Sequence, residues 1–110
     1  MTAPARILAP SPRISQTTWA RLTLFRQQVY RAVCQIPRGQ TRSYQWVARR
    51  IGRPDAVRAV GNALRANPFA PRVPCHRVVR SDGSLGGFMH GVEAKRRLLD
   101  AERRRSRRVG

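Results

Sequence analysis

Residues 43–67 read SYQWVARRIGRPDAVRAVGNALRAN, and this stretch decides the fold. Ser43 is a typical N-cap residue, and Gly52 suits the left-handed position that ends a helix. Apolar residues recur at helical spacing on both sides of the Gly-Arg-Pro sequence. They are Val47, Ile51, Val57, Val60 and Leu64. The pattern predicts two short helices joined by a tight turn, which is a helix-turn-helix.

The second of these helices has the character of a recognition helix. Arg58 and Arg65 are predicted to point outward, with Gly61 between them. A residue without a side chain at this place lets the helix approach another surface closely, such as a DNA backbone. The alternative is an ordinary pair of packed helices whose arginines are solvated.

Charge points to the same class of partner. The chain has 110 residues, of which 23 are Lys or Arg and 5 are Asp or Glu, so the net charge is +18. This charge repels itself in one small domain unless a polyanion is near, and nucleic acid is the leading candidate. The alternative is that the arginine content reflects the base composition of the source genome.

The flanking segments complete a fold that is mainly α with a short β-hairpin, small and winged-helix-like. Residues 1–22 are rich in proline and are predicted to be a flexible basic arm, with order beginning near Trp19. The domain then runs over 23–102. Its first helix starts at the N-cap Thr23, a hairpin turns at Ser-Asp-Gly, and a last helix occupies 91–102, where Val92, Leu98 and Leu99 are roughly on one face. Residues 103–110 are predicted to be a basic tail.

Cysteine is sparse, with Cys34 and Cys75 alone. A small secreted domain usually carries more cysteines, and no signal-peptide core or membrane-length apolar run is seen, so a cytoplasmic protein is expected. Cys34 lies in a helical apolar context and is predicted to be a small buried group.

Three interpretations compete for VPCHRVV, residues 73–79. A zinc site would need Cys34, Cys75, His76 and His90, whose spacing is not that of a zinc finger. Cys75 could instead be an inert buried thiol, which is the usual outcome for an isolated Cys-His pair. As a nucleophile it would need a base, because only roughly 3% of an ordinary thiol is ionised at pH 7.

His76 is the candidate base for the nucleophile. Adjacent residues often point apart, so a route through a water molecule is more plausible than direct contact. An imidazole that accepts a proton needs a carboxylate to orient it, and Glu93 and Glu102 on the last helix are the candidates.

Four blocks together resemble the O6-alkylguanine-DNA alkyltransferase family, also called methylated-DNA–protein-cysteine methyltransferases. The blocks are TRSYQWVA at 41–48, RAVGNALRANP at 58–68, PCHRVV at 74–79 and GGFMHGVEAKRRLLDAE at 86–102. The resemblance covers roughly residues 23–102. It implies a DNA repair protein that moves the alkyl group from O6-alkylguanine, and also from O4-alkylthymine, irreversibly to its own cysteine after base flipping.

The resemblance assigns catalytic roles to matching positions. Cys75 accepts the alkyl group, His76 acts as base through water, and Glu102 orients His76. Asn67 orders the turn that supports the cysteine. Tyr44 donates a proton to the guanine ring as the alkyl carbon departs.

DNA contacts and the lesion pocket are implied as well. Arg58 is the finger that fills the space of the flipped base, and the recognition helix enters the minor groove. The expected DNA-binding set is Ser43, Tyr44, Arg58, Gly61, Asn62 and Arg65. The expected pocket is Tyr44, Val78, Phe88 and Met89, and the backbone near Cys75 and Val78 is expected to read the amino edge of guanine. Phe88 stands where relatives often carry tyrosine.

The expected partner is double-stranded DNA that contains O6-alkylguanine, bound by a monomer without a membrane, a cofactor or a metal. The arm at 1–22 is too short to form the extra N-terminal domain that many members carry. Two alternatives stay open. One is a lesion-binding protein similar to the alkyltransferase-like proteins, which replace the acceptor cysteine. The other is a helix-turn-helix regulator with an incidental thiol.

Overall fold

The computed structural model describes residues 9–86 and 91–109. Within these ranges the chain is mainly helical, with a small two-stranded sheet and one 3-10 turn at Cys75–Arg77. The helices are α1 (Gln16–Ala20), α2 (Leu24–Cys34), α3 (Tyr44–Arg50), α4 (Val57–Arg65) and α5 (Val92–Val109). The strands are β1 (Arg42–Ser43) and β2 (Val78–Val79). The predicted class, mainly helical with a small β element, is confirmed.

The helix-turn-helix is α3 and α4, and local chemistry explains most of its boundaries. The Ser43 hydroxyl accepts a hydrogen bond from the Trp46 amide at 2.9 Å, which caps α3 as predicted. Gly52 follows α3 with a φ of 76°, a conformation that favours glycine. α4 begins at Val57, because residues 53–56 form a turn closed by a 3.0 Å bond from the Ala56 amide to the Arg53 carbonyl.

The core lies between α2, α3 and α4. Val29 and Val33 of α2, Val47 of α3 and Val60 of α4 are all fully buried. Each such side chain contributes roughly 1.5–3 kcal/mol of burial free energy. Tyr30 adds a polar tie, because its hydroxyl donates to the Ala63 carbonyl at 2.6 Å and joins α2 to the recognition helix.

Part of the predicted flexible arm is core. Trp19 is 0% exposed, and its ring lies 6.0 Å from Phe69 and 6.4 Å from Tyr30 between centroids. Ile14 is also buried, and Ser15 caps α1 by accepting from the Thr18 amide at 3.3 Å. Order near Trp19 was expected, but it begins earlier, at Ile14, because a large aromatic side chain gains more from burial than the segment loses in entropy.

The predicted hairpin is replaced by a different pairing. β2 pairs in parallel with β1, with Arg42 opposite Val78 and Ser43 opposite Val79. The Ser-Asp-Gly turn does form, since the Gly83 amide donates to the Arg80 carbonyl at 2.9 Å. The segment after this turn forms no strand within the described residues. Both valines of β2 are buried, which suits a strand that is covered by helices.

α5 differs from the prediction in extent and in its buried face. It continues to Val109, so the basic sequence after Glu102 is helix rather than a separate tail. Val92 is 45% exposed, and the buried positions are Lys95 and Leu99. Glu102 follows Lys95 by seven residues and so lies on the same face, about 10 Å further along the axis. No helix in the described part of the chain is long and apolar enough to cross a membrane.

Candidate active site

Cys75 is the first residue of the 3-10 turn that follows Val73 and Pro74. Its amide donates to the Val73 carbonyl at 2.8 Å, and its side chain is buried, with the residue 6% exposed. A cavity of about 640 Å³ opens beside it. The cavity is lined by Tyr44, Val57, Arg58, Gly61, Asn62, Leu64, Arg65, Cys75 and Arg80. One wall of the cavity is therefore α4, and Cys75 is part of the same lining.

Asn67 connects the end of α4 to this turn. Its side-chain amide donates to the Val73 carbonyl at 2.9 Å, and its side-chain oxygen accepts from the Phe69 amide at 2.9 Å. Both bonds are sheltered, since Asn67 is itself buried. Asn67 thus fixes the backbone just before Cys75, the position that the family resemblance implies for it.

The Cys75 thiol is held in its neutral form at rest. Burial raises the pKa of Cys75 above its ordinary value. A hydrogen bond with the Asn67 side chain, the positive charge of Lys95 and nearby backbone amides lower the pKa in part but do not cancel the effect of burial. A base is therefore needed to generate the nucleophile.

His76, the residue after Cys75, is in contact with Glu102 of α5. The Nε2 atom of His76 lies 2.7 Å from Oε1 of Glu102, and His76 is 2% exposed. Burial lowers the pKa of His76, and the Glu102 carboxylate offsets part of that decrease. If Nε2 carries the proton toward Glu102, the neutral ring offers Nδ1 as an acceptor, and Nδ1 has no partner among the described residues.

Arg77 is a member of this network that the sequence did not predict. Its Nη2 atom donates to Oε1 of Glu102 at 2.7 Å and its Nε atom to Oε2 at 3.0 Å. Nη1 donates to the Ile36 carbonyl at 3.0 Å, which anchors the guanidinium to the end of α2. Burial raises the pKa of Glu102, but the bonds from Arg77 and His76 outweigh it and bring the pKa to about 2. Glu102 is therefore a permanent carboxylate at neutral pH.

Tyr44 faces the cavity from the first turn of α3. Its hydroxyl lies against Gly86, where a Cβ atom would come within 2.9 Å of the Tyr44 oxygen and where φ is 71°. Burial raises the pKa of Tyr44, and the nearby Cys75 raises it further. The phenol is therefore protonated and able to donate.

Five of the six predicted DNA-binding residues line the cavity, namely Tyr44, Arg58, Gly61, Asn62 and Arg65. Arg58, Asn62 and Arg65 are exposed on α4. A Cβ atom at Gly61 would meet nothing within 4 Å in the described structure, so the protein's own packing does not require glycine there. Ser43 is half-buried, and its hydroxyl is engaged in capping α3.

The predicted lesion pocket is brought together only in part. Tyr44 lines the cavity, but the Val78 side chain is fully buried in β2 and is not among the described residues that line it. Val78 is 0% exposed as a whole residue, so neither its side chain nor its backbone borders the cavity in this structure. Phe88, Met89 and His90 lie outside the described residues.

Neither cysteine is in a disulfide, and the described residues contain no cluster of three or more metal-ligating side chains. Cys34 is half-buried, and burial raises its pKa to about 11. The two thiols therefore differ in setting, because Cys75 alone of the two borders the cavity.

Comparison with known families agrees with this geometry. The model of the DNA-binding domain of 6-O-methylguanine DNA methyltransferase matches residues 24–104. The chain belongs to this family. The inducible methylated-DNA–protein-cysteine methyltransferase of Bacillus subtilis is 52% identical over 84 residues, which are 76% of this chain and 47% of that protein. The chain spans about half the length of this curated relative.

Solved structures give the same result. The structure of Mycobacterium tuberculosis OGT in complex with DNA matches with a TM-score of 0.75 and 49% identity, over 77% of this chain and 53% of that one. An S. pombe protein in complex with damaged DNA that contains O6-carboxymethylguanine matches with a TM-score of 0.67 and 34% identity, over 74% of this chain and 78% of that one.

Proposed function

We propose that this member of the methyltransferase family repairs DNA by moving the alkyl group of O6-alkylguanine to Cys75, once per molecule. The observation that carries the proposal is the position of the Cys75 thiol. It borders a cavity whose other walls are the arginine-bearing face of α4 and Tyr44, and His76 with its carboxylate partner is the next residue.

The reaction begins with removal of the thiol proton. The proton passes through a water molecule to Nδ1 of His76, while Glu102 stabilises the imidazolium that forms. The Cys75 sulfur then attacks the alkyl carbon. A sulfur–carbon bond forms, the bond between that carbon and O6 breaks, and its electron pair goes to the guanine.

Tyr44 completes the transfer by giving its phenolic proton to a ring nitrogen of the departing guanine. The proton held by His76 later restores the tyrosine. Overall, the alkyl group and the thiol hydrogen exchange places, so the products are guanine and a thioether on Cys75. The thioether is stable, and none of the described lining residues offers a group that would take the alkyl group back, so a single turnover follows.

Access to the lesion needs the base to leave the helical stack. Arg58 and Arg65 are exposed on the α4 face of the cavity, where they can contact the DNA backbone and the space of a flipped base. The net charge of +18 favours this association through counterion release. O4-alkylthymine is a further substrate in this proposal, and the acting species is a cytoplasmic monomer.

A lesion-binding protein without transfer activity is the second candidate. This candidate is favoured by the match to S. pombe Atl1 in complex with damaged DNA, because this chain covers 78% of the matched protein chain. Cys75 at the cavity supports transfer instead, because the alkyltransferase-like proteins lack the acceptor cysteine.

The test is incubation with a duplex oligonucleotide that contains one O6-methylguanine, followed by intact and peptide mass measurement. One methyl group is expected on the Cys75 peptide, with guanine restored in the DNA. Cys34→Ala should transfer as the unmodified protein does, and Cys75→Ala should bind DNA without transfer. A folded protein that binds the lesion but gains no methyl group would establish the second candidate instead.

A further inference from the structure

Lys95 is the single lysine among the 23 basic residues of the chain, and it is 0% exposed. Lysine is almost never fully buried unless its ammonium group is paired. All the arginines with a described burial class are at least partly exposed. A lysine at this one buried position therefore calls for a role that the proposed chemistry has so far left out.

The contacts of Lys95 lead to the reacting groups. Its Nζ atom donates to the Leu85 carbonyl and lies 5.8 Å from the centroid of the Tyr44 ring. Gly86, the next residue after Leu85, packs against the Tyr44 hydroxyl. Lys95 thus ties α5 to the segment that holds Tyr44 in place.

The ammonium group also acts on the thiol through charge. Lys95 lowers the pKa of Cys75, and Cys75 in turn raises the pKa of Lys95. Burial is the largest influence on Lys95 and brings its pKa to about 8, with a smaller decrease from Arg80. Lys95 therefore carries its proton at neutral pH, in an environment where water screens its field poorly.

We infer that Lys95 is a positioning residue whose buried ammonium stabilises the negative charge of the reaction at both of its locations. Before transfer the charge is on the Cys75 sulfur. After transfer it is on the Tyr44 oxygen, which has given its proton to guanine. This inference rests on the proposed alkyl transfer and adds a fixed cation to it.

α5 then contributes to the site through one face. Lys95 supports the two anions, and Glu102, about 10 Å further along the helix, supports the cation that forms on His76. Lys95 and Glu102 are opposite in sign, and each supports the group that acquires the opposite charge. Such preorganised charges lower a barrier without reorganisation during the reaction.

The experiment measures the ionisation of Cys75 without DNA. In a Cys34→Ala background, the rate of thiol alkylation by iodoacetamide is followed against pH for Lys95→Gln and Lys95→Met. Glutamine keeps a donor for the Leu85 carbonyl but loses the charge. Arg96→Gln on the same helix is the matched control, since its side chain is 58% exposed and loses the same charge.

The apparent pKa of Cys75 should rise by about one unit in both Lys95 variants, the size of shift that one nearby opposite charge produces. Methyl transfer at pH 7 should slow about tenfold in parallel, because one unit removes about nine-tenths of the thiolate. The Arg96→Gln profile should match the background.

The sign of the shift separates charge from packing. Loosening of the loop would admit water and lower the Cys75 pKa, because burial is the main reason that it is raised. An unchanged or lowered pKa in folded Lys95→Gln would overturn the inference, and thermal unfolding identifies the folded variants. If the unmodified protein transfers no methyl group while the pKa still rises, the proposed function fails and the charge relationship stands.

Discussion

The carboxylate of Glu102 is shared between two neighbours, with Oε1 lying 2.7 Å from Nε2 of His76 and 2.7 Å from Nη2 of Arg77. His76 and Arg77 are consecutive residues of the 3-10 turn, and both contact this one carboxylate. Arg77 holds the carboxylate in a fixed orientation, and the carboxylate holds the imidazole. Arg77, which the sequence did not identify, therefore helps to orient His76, the base of the proposed reaction, through Glu102.

Removal of the carboxylate should slow the reaction more than it weakens DNA binding. Glu102→Gln keeps the size of the side chain but leaves His76 without its anionic partner, so methyl transfer should fall by roughly tenfold or more. Duplex affinity should stay within about twofold. Single-turnover transfer and equilibrium binding measure the two effects. Glu93→Gln is the control, because it makes the same chemical change on an exposed part of α5. Equal transfer rates in both variants would remove Glu102 from the mechanism.

Acid should destabilise the protein through the same carboxylate. The pKa of Glu102 is lowered from an ordinary 4.5 to about 2 in the fold. Its stabilising contribution is therefore complete above pH 4.5 and is lost as the pH falls toward 2, with a magnitude of at most about 3 kcal/mol. His76 acts in the same direction, since its lowered pKa makes the unfolded chain take up a proton first below pH 6.5.

Chemical denaturation at pH 7 and pH 3 measures this loss. The drop in unfolding free energy should be smaller in Glu102→Gln than in the unmodified protein, because the variant has no carboxylate to protonate at this position. Glu93→Gln should behave as the unmodified protein does. Identical drops in all three proteins would show that the Glu102 network does not govern acid stability.

Arg58 should matter only when a base must leave a duplex. Arg58→Ala is expected to slow repair of O6-methylguanine in duplex DNA by about tenfold or more, because the unstacking cost of a few kcal/mol then lacks compensation. Transfer from the free base O6-methylguanine should be nearly unchanged. Arg96→Ala is a charge-matched control on α5. Equal losses on both substrates would exclude the finger role.

Local sequence patterns predict the helix-turn-helix because the information lies within one or two turns. Ser43 caps α3 and Gly52 follows its end because of the conformational preferences of these residue types, which the rest of the fold does not override. The pairing of β1 with β2 is different in kind. This pairing joins residues that are far apart in the chain. Each strand has only two residues, Arg42–Ser43 and Val78–Val79, and so short a run does not indicate which other strand it pairs with.

The site divides in the same way. Cys75 and its neighbour His76 are visible in a seven-residue motif, and the pairing with Glu102 follows from family resemblance rather than from spacing. The roles of Arg77 and Lys95 depend on which face of α5 packs against the domain. Periodicity assigns the wrong face when Val92 is taken as buried. Lys95 stands four residues before Leu99, where the helical pattern calls for an apolar residue. This exception to the pattern was the available sequence signal for Lys95.

Gly61 offers a test in which stability and function should move in opposite directions. A Cβ atom there meets nothing in the described structure, so Gly61→Ala should stabilise α4 by roughly 0.5–1 kcal/mol through reduced backbone entropy. If α4 approaches the DNA backbone at this residue, the added methyl group should weaken duplex binding severalfold. Thermal unfolding and a binding titration measure the two quantities. Ala59→Gly is the complementary control, since it is an exposed position of the same helix and should destabilise the protein by a similar amount. Unchanged DNA affinity in Gly61→Ala would mean that the recognition surface does not include the middle of α4.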